Sequence, residues 1–137
     1  MIRPQNLAKM LFAAILLMGI QSGETRAQDF PLKGAFAGNG NDFSGAAFPI
    51  GGFTGLFDPN TGTAEWTTYF GTLSNQTTSF VLVQEVYPNV YYYEQSVIFT
   101  GGSGFYAGAG GTADFTGFIN LATGDYVGFI DGVLTRD

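Results

Sequence analysis

The stretch Phe99-Thr100-Gly101-Gly102-Ser103-Gly104-Phe105-Tyr106-Ala107-Gly108-Ala109-Gly110-Gly111 decides how this chain is read. Six of its thirteen residues are glycine, which opens two readings: a loop that grips phosphate, or a tight passage between strands. A phosphate loop needs a strand before it and a helix after it, so that backbone amides and a helix N-terminus converge on the anion. Here a strand-like segment, 90–99, precedes the run and another, 112–121, follows it. The Walker lysine is absent, and Gly102-Ser103-Gly104 opens into no dinucleotide fingerprint. The run therefore reads as structural. Gly101, Gly102 and Gly104 serve a turn, Phe105 and Tyr106 return to the sheet, and Gly108 to Gly111 let the chain bulge or pass close to a neighbour.

Working outward, the period is two. In 63–70, Ala64, Trp66, Thr68 and Phe70 share one face; in 112–121, Ala113, Phe115, Gly117, Ile119 and Leu121 do. In 125–134, Val127, Phe129, Asp131 and Val133 alternate with Tyr126, Gly128, Ile130, Gly132 and Leu134. Such alternation is the signature of strands. Segments 77–87 and 90–99 are β-rich, and 32–37, 42–48 and 51–57 read as shorter strands. Turn signals separate them: Asp58-Pro59-Asn60-Thr61-Gly62, Pro88-Asn89 and Ala122-Thr123-Gly124. Outside the first residues no stretch sustains an apolar stripe at helical spacing. The pattern predicts an all-β domain of seven or eight strands, an antiparallel eight-stranded β-barrel or alternatively a β-sandwich. A barrel has the merit of leaving no exposed edges.

The N-terminus reads differently. Arg3 and Lys9 precede an apolar run from Met10 to Ile20, and a polar stretch leads to Thr25-Arg26-Ala27. This is the pattern of a signal peptide, 1–27, cleaved after Ala27. The run is short for a membrane span. The expected mature chain is one domain, 28–137, exported to the periplasm or the cell exterior. Of its charges, Lys33 and Arg136 stand against ten acidic residues, a net charge of −8. Such a surface repels a phosphate backbone, which excludes nucleic acid, and argues against adhesion to anionic lipid. The chain has no cysteine and no histidine. Disulfides, cysteine nucleophiles and a histidine-containing triad are thereby excluded. The usual zinc, copper and haem ligands are missing too, and no cofactor or metal is expected.

The glycine run together with the Ala122-Thr123-Gly124 hairpin resembles the signature of the allene oxide cyclase barrel-like family. Plant dirigent proteins share a similar glycine-rich turn. The resemblance covers mainly residues 96–134. It implies an eight-stranded antiparallel barrel with a central cavity and a trimer, here in a small bacterial-type secreted member. In those families the cavity binds apolar or phenolic intermediates and steers cyclisation or radical coupling. The plant cyclases' acidic residue, asparagine and serine-proline pair have no matching motif here: Glu65 and Glu85 lie in or near strands but outside it. The arginine expected by the dirigent pattern is not matched either, since Arg136 sits beside the C-terminus. Neither catalytic set carries over, so no catalytic residue is assigned.

Candidate ligand-binding residues are Trp66, Glu85, Tyr92, Glu94 and Tyr106. Trp66 alternates with small neighbours and so points to the core, as filler or as a stacking surface for a guest. Of Tyr91-Tyr92-Tyr93, the middle ring must face opposite to the other two. Glu85 and Glu94 flank the Pro88-Asn89 turn, where a hairpin could set them opposite each other as an acid–base pair. Asp114, Asp125 and Asp131 could gather near the last hairpin, with calcium as the compatible ion. Asp58-x-Asn60-x-Gly62 has the start of a calcium loop but lacks its later ligands, and reads as a turn. The function expected is noncatalytic binding of a small apolar or aromatic molecule or a protein partner. The alternative is a cyclase- or dirigent-like enzyme whose cavity positions its substrate.

Overall fold

A computed structural model describes residues 28–136. The signal peptide read over 1–27 lies outside the described residues. Eight strands follow one another: β1 (Gln28–Asn39), β2 (Asp42–Phe48), β3 (Gly51–Asp58), β4 (Thr63–Thr68), β5 (Gly71–Tyr87), β6 (Val90–Gly102), β7 (Gly110–Asn120) and β8 (Asp125–Arg136). Each pairs antiparallel with the next, and β8 closes on β1, giving a closed eight-stranded barrel rather than a sandwich. The closing ladder runs without a break from Gln28↔Arg136 to Asn39↔Asp125. Among the described residues no helix is long and apolar enough to cross a membrane.

The up-and-down course puts turns at two ends. At the lower end lie the β2–β3 and β4–β5 turns, the β6–β7 connection and both ends of the described chain; the other four turns form the upper rim. Side chains alternate inward and outward along each strand. The lower half is solid. Leu32, Ile50, Leu73, Val97 and Leu134 are fully buried there, and Tyr106 is buried with them. The residues that alternation groups on one face in β4, β7 and β8 do share one, and in β8 the inward set is that of Gly128, Ile130 and Leu134. Phe70 and Leu121 leave the pattern because each falls in a turn, where the two-residue period no longer applies.

The glycine run is structural, but its parts divide differently from the sequence reading. Gly101 and Gly102 still belong to β6, and the turn proper is a short 3-10 segment, Gly104–Tyr106. Phe105 and Tyr106 do not return to the sheet; Tyr106 caps the barrel floor. Strand pairing continues through Gly102 because β5 starts at Gly71, earlier than the sequence suggests, and Leu73 pairs with Gly102. A side chain on Gly102 would run into the Thr72 carbonyl oxygen, and one on Gly111, at φ 114°, into that of Val133. Gly104 (φ 62°) and Gly108 (φ 79°) hold positive φ in the connection, where glycine is unstrained. Arg136 fastens this loop from below. Its Nε donates to the Phe105 carbonyl at 2.8 Å, and its guanidinium lies 3.8 Å from the centre of the Phe105 ring.

β5 and β6 differ from the other strands in length. β5 pairs with β4 only as far as Gln76, and the Thr77 amide then donates to the Gly62 carbonyl of the β3–β4 turn at 2.9 Å. Beyond this point β5 outruns β4 and keeps only β6 as its partner, with register shifts between Thr77 and Ser79, Leu82 and Gln84, and Glu85 and Tyr87, while β6 stays paired with β7 as far as Val90↔Asn120. Thr78 to Tyr87 are exposed throughout.

The close approach at Gly102 sets a stability test. Gly102→Ala should lower the unfolding free energy by about 1–3 kcal/mol, because the added methyl has rigid backbone as its neighbour. Gly110→Ala, where an added methyl meets nothing within 4 Å, should change it by less than about 1 kcal/mol. Urea midpoints of the two variants measure the difference.

Candidate functional site

Above the solid floor the barrel is hollow. A cavity of about 370 Å³ lies in its upper half and opens toward the rim. It exists because the inward positions there combine large rings with glycine or alanine on the adjoining strand. Phe43 on β2 lies against Gly55 of β3, its register partner, and Phe36 on β1 against Gly128 of β8. Each glycine lets a neighbour's ring lie flat along the wall instead of standing into the lumen. Trp66 forms the floor. It stacks on Phe53 with centroids 4.4 Å apart and planes 9° from parallel, and packs against Phe115 at 6.0 Å and edge-on to Phe99 at 5.8 Å. Ala64, next inward on β4, leaves the space above the indole unfilled. Phe80 and Tyr93 stack at 5.5 Å and form one lip of the mouth.

The polar groups on this wall are few, and most are committed. The Tyr93 hydroxyl donates to the Val127 carbonyl at 3.2 Å, and the Tyr126 hydroxyl to that of Gly40 at 3.0 Å. Gln95 Nε2 donates to Thr77 Oγ1 at 2.9 Å. Asn75 is the exception. It is 2% exposed, lies on the cavity wall, and its Nδ2 has no hydrogen-bond partner among the described residues. A buried donor left unpaired costs on the order of 1–3 kcal/mol. Among the described residues no carboxylate, lysine or arginine lines the cavity.

The candidates named from sequence fall in different places. Trp66 is the cavity floor. Tyr106 is buried one level lower, in the plug below the hollow. Tyr92 points outward and packs on Phe118 across the sheet's outer face at 5.8 Å, while Tyr93 points in. The middle ring does oppose its neighbours, but register with Phe115 and Val97 on the inner face selects Tyr93 for the cavity. Glu85 and Glu94 are not opposite each other. Glu85 pairs with Tyr91 and accepts the Asn89 amide at 3.0 Å at the hairpin tip; Glu94 pairs with Val81 and Thr116 on the outside. Pairing from Tyr87↔Val90 already offsets the two glutamates by two residues, and the bulges at β5 add to that offset. Asp114 and Asp131 do meet across β7 and β8, but on the outer face, where Ser96 donates to one and Lys33 pairs with the other. Asp125 lies at the far end of β8. Asp58 turns its carboxylate onto the Asn60 amide at 2.9 Å, as an ordinary turn residue does. Among the described residues no three His, Cys, Asp or Glu side chains gather as a metal site.

Sequence reasoning passed over Phe36, Phe43, Asn75 and Tyr93. The signal for Asn75 is the alternation Leu73-x-Asn75-x-Thr77, which places an amide on an inward face. That signal is readable only once Gly71 to Gln76 is recognised as strand.

Burial raises the pKa of three tyrosines: Tyr93 most strongly, with Tyr126 adding to it; Tyr126, to which Asp42 contributes; and Tyr106, where Thr68 and Arg136 pull partly back. A raised pKa in the folded state favours folding only while the unfolded phenol also keeps its proton. Stability from these groups is therefore full below the unfolded tyrosine value near pH 10 and falls as pH rises through the folded values. The barrel should lose stability above about pH 10, and Tyr93→Phe should flatten that loss, as read from urea midpoints across alkaline pH.

Comparison with protein-family models, with curated proteins and with solved structures gives no match for this chain.

Proposed function

We propose that this barrel is a binding protein for a small apolar or aromatic molecule, taken into the upper cavity and held against Trp66. One observation carries the reading: a hollow of about 370 Å³, walled by Phe36, Phe43, Phe115 and Tyr93, in a barrel whose other half is packed solid. Small-molecule sites are concave, mostly apolar and supplied with a few placed polar groups. A narrow barrel built only for stability would fill its lumen, since each unfilled methyl-sized space weakens packing. Among the described residues the wall holds no carboxylate to exchange protons with a guest, which favours binding over the cyclase-like alternative. Membership of the allene oxide cyclase barrel-like group belongs to the same proposal and rests on the motif in 96–134. So does export, which rests on 1–27 and would place the ligand outside the cytoplasm.

Trp66 is the sole tryptophan of the chain, so its indole N–H gives one assignable NMR resonance at the cavity floor. Titration with ethylnaphthalene should move this resonance in a saturable way, with a Kd on the order of 10 µM for an apolar guest of this size. Ala64→Phe places a ring in the hollow and should weaken binding at least tenfold. Phe129→Ser, on the outer face, should leave it unchanged. An indole resonance that ignores the probe, or an affinity equal in Ala64→Phe and wild type, would overturn the proposal.

A further inference from the structure

We infer that the natural guest is a neutral cyclic or aromatic molecule carrying a carbonyl-type acceptor oxygen, and that Asn75 Nδ2 donates to that oxygen. This rests on the cavity reading above and adds the ligand's polar end.

The inference starts from an unbalanced donor. A primary amide offers two N–H groups, and in a folded interior such groups are almost always paired. Asn75 sits between Ala64 on β4 and Phe99 on β6, its register partners, and neither has a side chain able to accept. The next inward residue on its own strand is Thr77, whose Oγ1 already accepts from Gln95 Nε2. The tyrosine hydroxyls nearer the rim are turned to backbone carbonyls. Among the described residues Asn75 Nδ2 is thus the buried side-chain donor left without a partner, beside the hollow and just above Trp66. A leucine, with the same branched skeleton, would remove the cost of the unmade bond. A guest that brings an acceptor to this position makes the bond inside an apolar enclosure, where a mismatch is most costly and so discriminates best.

The charge of the guest follows from the same wall. Among the described residues no cationic side chain lines the hollow, and the tyrosines there are held protonated by burial. A carboxylate would enter without a counter-charge, into a chain whose described part is strongly acidic. Ketones, aldehydes, esters and lactones meet the requirement: an acceptor with no formal charge. The aromatic walls favour a flat ring system for the remainder.

Three naphthalenes of near-equal size separate the possibilities, with Trp66 indole shifts giving the affinities. Acetylnaphthalene should bind wild type about tenfold more tightly than ethylnaphthalene, the gain from restoring one buried hydrogen bond. Naphthoate should bind more weakly than the ketone. In Asn75→Leu the ketone should lose its advantage while ethylnaphthalene binds as well as before or better. The infrared carbonyl stretch of acetylnaphthalene bound to wild type should lie below its value in an apolar solvent, a reading that needs no variant to fold. Equal affinity for ketone and hydrocarbon in wild type would overturn the assignment of Asn75, since water or nothing then satisfies it, and would leave the cavity proposal standing. A ketone preference that survives Asn75→Leu would do the same. Failure of both neutral probes to bind would overturn the cavity proposal and this one together.

Discussion

The ladder between β1 and β8 joins the two ends of the described chain, and the shape of the interior follows from it. Twelve successive pairs, from Gln28↔Arg136 to Asn39↔Asp125, turn a meander into a cylinder. Before that closure β1 and β8 are open edges and the inward side chains face solvent; after it, each inward side chain is surrounded. Eight strands enclose a lumen just wide enough for side chains to fill, so what occupies the inward positions decides whether the barrel is solid or hollow. The closure also stands in for the staples this small chain does without, having no cysteine. Its contacts are the most distant in sequence that the chain can make, so they form against the largest loop entropy, after the local hairpins have reduced it.

Hollow and solid halves use the same residue types in different arrangements. In the lower half Leu32, Leu73, Ile130 and Leu134 point at one another, and Tyr106 is brought in from the β6–β7 connection to close the end. In the upper half the bulk lies along the wall. Phe36 over Gly128 and Phe43 over Gly55 spread rings across positions where a side chain on the next strand would have pushed them inward. Glycine is thus the reason for the cavity as much as for the bends, and the high glycine content, 21 of 137 residues, serves both ends. The aromatic–aromatic contacts running from Phe36 through Phe43, Phe53 and Trp66 to Phe115 make the wall continuous and stiff. A stiff wall keeps the hollow from collapsing, which would otherwise be the cheaper state.

Much of this was legible in the residues. Alternation in β4, β7 and β8 grouped the residues that share a face, and the turn residues marked the hairpins at Asp58–Gly62, Pro88-Asn89 and Ala122–Gly124. The glycine run was recognisable as structural because no helix followed it. Its division was not, since the partner of Gly102 is Leu73, and the segment 71–76 has no strong β signal of its own. The site was legible only in Trp66. Tyr93 and Tyr92 are chemically equal in the sequence, and register alone turns one in and the other out. Glu85 and Glu94 looked like a facing pair because both flank the Pro88-Asn89 turn, but with Tyr87 opposite Val90 even an unbulged hairpin sets Glu94 two residues from Glu85's partner, and the shifts along β5 add to the offset. Sequence alternation reports which residues share a face, and bulges are where that report breaks down.

The same bulges bear on the segment of β5 that outruns β4. From Thr78 onward this strand has β6 on one flank and, among the described residues, no strand on the other, and it carries Phe80, Val81, Val83 and Val86 about half exposed. A flat edge with that composition would be a template for aggregation. Three register shifts in ten residues interrupt the straight row of amides and carbonyls that another strand would need, and Glu85 sets a charge near the tip. The extension is nonetheless tied to the cavity, because Phe80 folds over Tyr93 at its mouth. An irregular, one-sided ribbon opens locally more easily than the ladders below it. The lip of the cavity is therefore placed on the part of the sheet least able to resist movement, while the floor and the open amide of Asn75 sit where β4, β5 and β6 are all paired. On the binding role proposed above, entry and retention of a guest would fall to different parts of one strand: the loose end of β5 would admit it, and the paired end at Asn75 would hold it.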